Sequence, residues 1–301
     1  MKDHETWPNR LAVADPAPIR RYFTGDAGVQ LSGCCWDGEG TNVLLVHGLA
    51  SNALLWQGVG AELAMAGLNV AALDLRGHGL SDKPDGGYDY TTVSRDVAQV
   101  LEGWASAAPV HIAGQSWGGN VVLRVALDRP DLIAGVIAVD GGMIDLASRF
   151  PNWDECAATL APPKLLGTAL AELERRVREW HPDWPETGLC GSLGCFELHE
   201  DGTVAPWLTL ERHMAILRSM WEEGPSAWYG GIEVPVLFIP ARPSDGSSNP
   251  LMGKEEAVRV AASQVRRSRV EWVTGDHDLH AQHPRHIAGL IMETIGLSSP
   301  R

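Results

Sequence analysis

The fold is decided by residues 110–119, which read VHIAGQSWGG. Residues 110–113 have the apolar composition of a short buried strand, and residues 117–127 have that of a helix. Glycines on both sides of Ser116 allow the backbone to turn sharply between these two elements. The stretch therefore predicts a strand, a tight turn and a helix, with the serine hydroxyl at the helix N-terminus, where an anion is stabilised.

Outward from this stretch, short apolar runs alternate with amphipathic segments. Strands are predicted at 20–24, 29–36, 42–46, 69–73 and 132–139, with helices near 53–66 and 91–105. The pattern resumes with a strand at 234–239, a helix near 255–262, a strand at 270–273 and a last helix at about 284–295. Such alternation implies βαβ units. We expect an α/β fold with a mostly parallel central sheet flanked by helices, built from residues 1–140 and 231–301.

Between residues 141 and 230 the alternation stops. Helices are predicted at 164–180 and 210–223, with a hairpin-like turn at Asp201-Gly202 between them. We interpret this segment as a mainly helical cap inserted between the two halves of the core. Six of the 12 tryptophans fall here, which suits either an apolar substrate or packing of the cap onto the core. The candidate pocket residues are Trp207, His213, Met214 and Trp221.

Composition narrows the possible partners. Of the 301 residues, 45% are hydrophobic and the formal net charge is −14. The basic residues are interspersed, so nucleic acid is not an expected partner. No apolar run reaches the roughly 18 residues of a membrane span, and the polar start of the chain favours a cytoplasmic location. Five cysteines without a C-x-x-C pair indicate reduced thiols. The oligomeric state stays open.

Three further segments follow predicted strands and carry polar residues. His47-Gly48-Leu49 follows the strand at 42–46, and a glycine-rich loop at 74–81 follows the strand at 69–73. We assign that loop a structural role, with His78 as a loop histidine. Gly275-Asp276-His277-Asp278 follows the last strand, so a histidine lies late in the chain at the carboxyl edge of the sheet.

This ordered set resembles the α/β-hydrolase superfamily, over nearly the whole chain except the cap. The resemblance implies that Ser116 is the nucleophile and His277 the general base. It also implies that the backbone N–H groups of Leu49 and Trp117 form an oxyanion hole. No cofactor is implied.

The third member of the expected triad is less clearly marked. Asp245, beyond the strand at 234–239, occupies the place that the resemblance implies. Asp140, at the end of the strand at 132–139, could reach the same histidine. We favour Asp245, because an aspartate followed by Gly141-Gly142 also suits a simple turn.

The histidines near the end of the chain invite a metal interpretation, because they recur at every third residue: His277, His280, His283 and His286. Pro284 is expected to begin a helix, so these four side chains would not share one regular face. We therefore expect no metal site, and regard His280 as a minor alternative to His277.

The expected activity is hydrolysis of an ester, lactone or thioester bond in a small, largely apolar substrate. A carbon–carbon bond hydrolase or a lyase is an alternative, because one fold hosts many chemistries. A ligand-binding receptor that retains the triad but turns over slowly is a third possibility.

Overall fold

A computed structural model of the protein describes residues 7–105, 108–243 and 249–297, the last range without the side chains of 249–252. The strands are β1 (Ile19–Thr24), β2 (Gln30–Trp36), β3 (Asn42–Val46), β4 (Asn69–Leu73), β5 (Val110–Gln115), β6 (Ile133–Val139), β7 (Thr168–Ala169), β8 (Phe196–Leu198), β9 (Thr203–Pro206), β10 (Val236–Ile239), β11 (Ala241–Arg242), β12 (Ser268–Val270) and β13 (Val273–Thr274). The α-helices are α1 (Trp7–Arg10), α2 (Gln57–Met65), α3 (Tyr90–Trp104), α4 (Trp117–Asp128), α5 (Trp153–Leu160), α6 (Leu170–Trp180), α7 (Glu186–Leu193), α8 (Leu210–Glu222), α9 (Asn249–Gln264), α10 (Leu279–Gln282) and α11 (Pro284–Ile295).

An eight-stranded sheet in the order β1-β2-β4-β3-β5-β6-β10-β12 forms the centre of the fold. The pairs β1–β2 and β2–β4 are antiparallel, whereas the other pairs are parallel. The inner strands are almost continuously buried, as in β3, where every residue after Asn42 is buried. Burial on both faces explains why these strands are apolar runs without polar alternation. The predicted α/β fold with a mostly parallel sheet is confirmed.

The carboxyl ends of the parallel strands meet at one edge of the sheet. In the register of β3 and β5, Val46 is paired with Gly114, and in that of β5 and β6, Gln115 is paired with Val139. The residues that follow these strands, at 47–50, 116 and 140, therefore lie side by side.

Two predicted elements near the end of the core differ from the structure. The strand expected at 270–273 is divided into β12, which joins the main sheet, and β13, which pairs with β11 in a separate two-stranded ribbon. The chain bends between β12 and β13. The bend is held by two hydrogen bonds, from Glu271 N to Phe238 O at 2.9 Å and from Val273 N to Pro240 O at 3.1 Å. The helix expected near 255–262 is longer and runs as α9 from Asn249 to Gln264.

The segment between β6 and β10, residues 141–230, contains helices α5 to α8 and a small antiparallel sheet in the order β7-β9-β8. The helix expected at 164–180 begins only at Leu170. Gly167 has a φ of +78°, and residues 168 and 169 pair with β9 instead of entering the helix. The turn at Asp201-Gly202 connects β8 and β9, as predicted, with Gly202 at a φ of +81°. Helices α5 and α7 were not predicted.

No helix in the described part of the chain combines the length and the apolar content that a membrane span needs.

A buried ion pair fixes the loop that follows β4. The Arg76 guanidinium donates from Nε to Asp96 Oδ2 at 2.5 Å and from Nη2 to Asp96 Oδ1 at 2.7 Å. Both side chains are buried, and Asp96 also accepts the backbone N–H of Asp26 at 2.8 Å. Because Asp96 lies on α3, this pair ties the loop at 74–82 to the helical layer.

We expect Arg76→Met to lower the free energy of unfolding by about 3–5 kcal/mol, because it leaves the Asp96 carboxylate buried without its cation. Arg21→Met is the matched control, since Arg21 pairs with Asp37 on the surface and such pairs contribute about 0–1 kcal/mol. Urea unfolding of both variants measures the difference. Equal losses would contradict the structural role of the buried pair.

Candidate active site

Ser116 lies in the sharp turn between β5 and α4. Its φ of 54° and ψ of −123° form a conformation that few non-glycine residues adopt. Its backbone N–H donates to Val139 O at 3.0 Å, and its carbonyl accepts the N–H of Gly119 at 2.9 Å. A Cβ on Gly114 would lie 2.2 Å from the carbonyl oxygen of Gly118, so only glycine allows the helix to approach the strand this closely. The turn is the predicted one.

Asp140 and His277 are hydrogen-bonded to each other. The imidazole Nδ1 lies 2.6 Å from Asp140 Oδ2. A carboxylate only accepts, so Nδ1 carries the proton and Nε2 is left as the basic nitrogen. The Asp140 side chain is 2% exposed, whereas that of His277 is 51% exposed. The arrangement is that of an imidazole whose tautomer is fixed by a buried carboxylate.

Asp140 is held in place from several directions. It follows β6 with a φ of 39°, and its own N–H donates to Ile239 O at 2.8 Å. The carboxylate also accepts the N–H of Ala241 at 2.8 Å and the Lys254 Nζ at 2.9 Å to each oxygen. Burial raises the pKa of Asp140, but the hydrogen bond from His277 and the Lys254 charge outweigh it and lower that pKa below its usual value. Asp140 is therefore an anion at neutral pH.

The charges around His277 favour its protonated form. Partial removal from water lowers the pKa of the half-exposed imidazole, but the hydrogen bond to Asp140 and the negative charges of Asp278 and Asp140 outweigh this effect and raise that pKa above its ordinary value. Lys254 acts in the opposite direction and lowers it. The His277 imidazole is thus more basic than that of a free histidine.

Of the two aspartates considered as partners of His277, Asp140 makes the contact. Asp245, the preferred candidate, lies outside the described residues. The imidazole Nδ1 has a single proton to donate, and Asp140 accepts it. The preference for Asp245 is therefore revised in favour of Asp140. The Gly141-Gly142 sequence after Asp140 does not mark a simple turn, because a Cβ on Gly141 would lie 2.3 Å from the Ser116 carbonyl oxygen.

Gln115 links the turn at Ser116 to the loop of His277, and the sequence analysis missed it. Its Nε2 donates to the His277 carbonyl oxygen at 3.1 Å. Its Oε1 lies 2.4 Å from the position that a Cβ on Gly48 would occupy. The signal that could have identified Gln115 is its place directly before Ser116, within the turn.

The loop after β3 lies directly against Ser116. A Cβ on Gly48 would lie 3.0 Å from the Ser116 Cβ. His47 is buried under this loop, with Nδ1 2.7 Å from Gly48 O and Nε2 accepting the Leu75 N–H at 3.0 Å. The loop therefore brings the backbone of Leu49 beside the turn where Trp117 begins α4.

His78 supports the same loop. Its Nε2 accepts the N–H of Ala50 at 3.3 Å, and its Nδ1 lies 3.0 Å from Arg76 O. Burial and the neighbouring His47 hold the pKa of His78 well below its ordinary value. His78 is thus a neutral loop histidine with both nitrogens engaged, in line with its predicted structural role.

The four pocket candidates lie in different surroundings. His213 is buried, and its Nε2 has no hydrogen-bond partner in the described structure. The Trp207 indole lies under Lys83 Nζ, 4.7 Å from the ring centroid. Trp221 donates to Phe150 O at 3.2 Å, and Met214 is partly buried against the core.

The remaining histidines of the late cluster do not gather around a point. His280 is fully buried against Trp56, 4.3 Å between ring centroids, and neither of its nitrogens has a hydrogen-bond partner in the described structure. Burial, with the nearby His277, lowers the pKa of His280 to about 3. His286 is exposed on α11. Within the described ranges, no group of three or more His, Cys, Asp or Glu side chains is arranged to hold a metal ion.

The segment 141–230 contacts the His277 loop through Asp276. The Trp184 Nε1 donates to Asp276 Oδ2 at 2.7 Å, and the Trp184 ring stacks on His181 with 3.8 Å between centroids. Gln282 connects the same parts, because its Oε1 accepts the Asp276 N–H at 2.8 Å and its Nε2 donates to Asp183 at 2.5 Å.

Known proteins share this architecture. A family model described as the alpha/beta hydrolase fold matches residues 41–184. An uncharacterised protein of Mycobacterium tuberculosis is 35% identical over 139 residues, 43% of this chain and 39% of that protein. An esterase of the same organism is 35% identical over 133 residues, 44% of this chain and 42% of the esterase. The chain thus spans about two fifths of the length of these relatives.

Among solved structures, that of E-2-(acetamidomethylene)succinate hydrolase superposes with a TM-score of 0.72 at 21% identity, covering 93% of this chain and 99% of that protein. At this identity the superposition speaks for the fold alone. Together with the matched family model and the named hydrolases among the relatives, it leads to one assignment. The chain has the α/β-hydrolase fold.

Proposed function

We propose that this protein is a serine hydrolase that cleaves an ester, lactone or thioester bond of a small, largely apolar substrate through an acyl-enzyme. The observation that carries the proposal is the hydrogen bond between His277 Nδ1 and Asp140 Oδ2. Asp140 directly follows Val139, whose carbonyl oxygen accepts the Ser116 N–H. A serine, an oriented imidazole and a buried carboxylate thus share one edge of the sheet. This is the set that nucleophilic catalysis by serine requires.

In the proposed first half-reaction, the Ser116 hydroxyl gives its proton to His277 Nε2 as its oxygen attacks the substrate carbonyl carbon. The carbonyl oxygen becomes an oxyanion, which the N–H groups of Leu49 and Trp117 stabilise. Each such donor contributes about 3–4 kcal/mol to transition-state stabilisation. The Asp140 anion stabilises the imidazolium that forms.

Collapse of this intermediate breaks the bond to the leaving alcohol or thiol, which takes the proton from His277. An acyl group then remains on the Ser116 oxygen. In the second half-reaction a water gives a proton to the neutral His277 and attacks the acyl carbon. The proton returns to the serine oxygen as the acid product leaves, so that no net charge or proton is gained by the enzyme.

The proposal gives the segment 141–230 the role of a cap over the site. Its contact with Asp276, next to the proposed base, supports this placement. The similarity to a mycobacterial esterase supports acyl transfer as the reaction class.

We expect Ser116→Ala to lower kcat on p-nitrophenyl esters by on the order of 10⁴-fold or more, because it removes the nucleophile and leaves the turn intact. The variant should also lose covalent labelling by a fluorophosphonate probe. Ser148→Ala, an exposed serine, is the control and should react as the wild type does. Labelling of Ser116→Ala at the wild-type rate would refute the assignment, and a wild type that is labelled but turns over no ester would favour the receptor alternative.

We expect Asp140→Asn to lower kcat by about 10⁴-fold, because an amide can donate to Nδ1 and so stabilise the wrong imidazole tautomer. Asp245→Asn should retain turnover. Thermal unfolding of each variant separates lost activity from lost fold, since the substitution also leaves Lys254 without its anion. A collapse of activity in Asp245→Asn, with Asp140→Asn near the wild type, would restore Asp245 as the acid.

We expect kcat/KM to rise with pH through one ionisation whose midpoint lies above 6.5, the ordinary value for histidine. The sign follows from the mechanism: the base must be neutral, and the pKa of His277 is raised, so activity is lost as pH falls through that raised value. Well below the midpoint the rate should drop about tenfold per pH unit. A flat profile between pH 5 and 8, or a midpoint below 6.5, would count against His277 as the base.

A further inference from the structure

Lys254 is a cation at the proposed triad that the mechanism above does not use. It lies on α9, and its Nζ is 2.9 Å from each oxygen of Asp140 and 3.2 Å from the Ala241 carbonyl oxygen. Its side chain is 26% exposed, in contrast to the buried Asp140. The three contacts fully use the three donors of the ammonium group.

The contacts of Asp140 place Lys254 and His277 on the same carboxylate. Oxygen Oδ1 accepts from the Ala241 N–H and from Lys254, and oxygen Oδ2 accepts from His277 and from Lys254. Each oxygen thus has two donors, which restricts rotation of the carboxylate. Because Lys254 and His277 share Oδ2, a proton added to the imidazole is brought close to an existing positive charge.

We propose that Lys254 is a positioning residue of the proposed triad, which holds the Asp140 carboxylate toward His277 and, as a neighbouring cation, opposes protonation of the imidazole that is to accept the serine proton. This inference rests on the proposed function, since it assigns a role in the same reaction.

The other charged groups around His277 show why a cation is needed. Asp140 after β6 and Asp278 in the same loop both favour the imidazolium, whereas Lys254 from α9 opposes it. Asp276, the other neighbour in the loop, is engaged with Trp184 and lies 3.8 Å from His181 at the end of α6. His280 on α10 is neutral. Without Lys254, the carboxylates would hold His277 protonated over a wider range of pH.

The expected effect of removing the charge is an upward shift of the His277 titration midpoint by about half a pH unit to one unit, a modest value because Lys254 is partly exposed. Below both midpoints the loss of kcat/KM relative to the wild type should be about 3–10-fold larger than the loss at high pH. A purely structural role would lower the rate by the same factor at every pH.

The experiment compares Lys254→Met, which removes the charge, with Lys254→Gln, which removes it but keeps a hydrogen-bond donor, and with Lys254→Arg, which keeps it. Arg259→Met is the matched control, because Arg259 is an exposed cation on the same helix. The His277 imidazole is titrated by NMR in each protein. The pH dependence of fluorophosphonate labelling and of p-nitrophenyl ester hydrolysis is measured in parallel.

The proposal expects raised midpoints for both neutral variants, and midpoints near the wild type for Lys254→Arg and for Arg259→Met. Unchanged or lowered midpoints in the folded neutral variants would overturn it, as would a rate loss that is uniform with pH. If only one neutral variant folds, that variant decides. The NMR titration needs no substrate, so a wild type that neither labels nor turns over would refute the proposed function while the placement of Lys254 is still tested.

Discussion

The hydrogen bond from Ser116 N to Val139 O extends the parallel pairing of β5 and β6 by one residue beyond the sheet. This contact holds a strained turn against the end of the neighbouring strand, and the next residue along that strand is Asp140. The close approach is possible because Gly141 has no side chain to collide with Ser116. The relative position of serine and carboxylate is therefore set by backbone pairing and not by side-chain packing, so it is as rigid as the sheet.

At the same edge of the sheet lies the negative charge of the Asp140 carboxylate, which the surrounding groups must stabilise. Asp140 is a buried anion with four hydrogen bonds, two of them from backbone or imidazole N–H groups and two from an ammonium. A buried carboxylate with fewer donors would be expensive to ionise. The bend between β12 and β13, together with the β11–β13 ribbon, brings the His277 loop and the Ala241 N–H to this carboxylate. The bend between β12 and β13 thus allows both groups to contact Asp140.

Much of this could be predicted from the sequence, because the relevant signals are local. The apolar runs of β3 to β6 are short, so the succession of strands along the chain and the positions of Ser116 and His277 after strands followed from the pattern. The partner of His277 did not, because whether Asp140 or Asp245 reaches an imidazole over 30 residues away depends on where strands end in space. Lys254 was not predicted for the same reason, since nothing in the sequence around a single lysine on a helix indicates a role in the site. In segment 141–230, the helix expected from 164 begins at Leu170, because a glycine and pairing with β9 override helical periodicity.

The hydrogen bond from Trp184 to Asp276 has a consequence for the evolution of this fold. Through one indole, segment 141–230 reaches the residue next to His277, whose imidazole is hydrogen-bonded to Asp140. Exchange of segment 141–230 between related proteins would therefore also disturb the His277 loop unless the incoming segment supplied a donor at this position. Recombination at the ends of segment 141–230 would have to preserve the contact between Trp184 and Asp276, which lies far from either end in the sequence. The segment and the His277 loop are therefore expected to be inherited together.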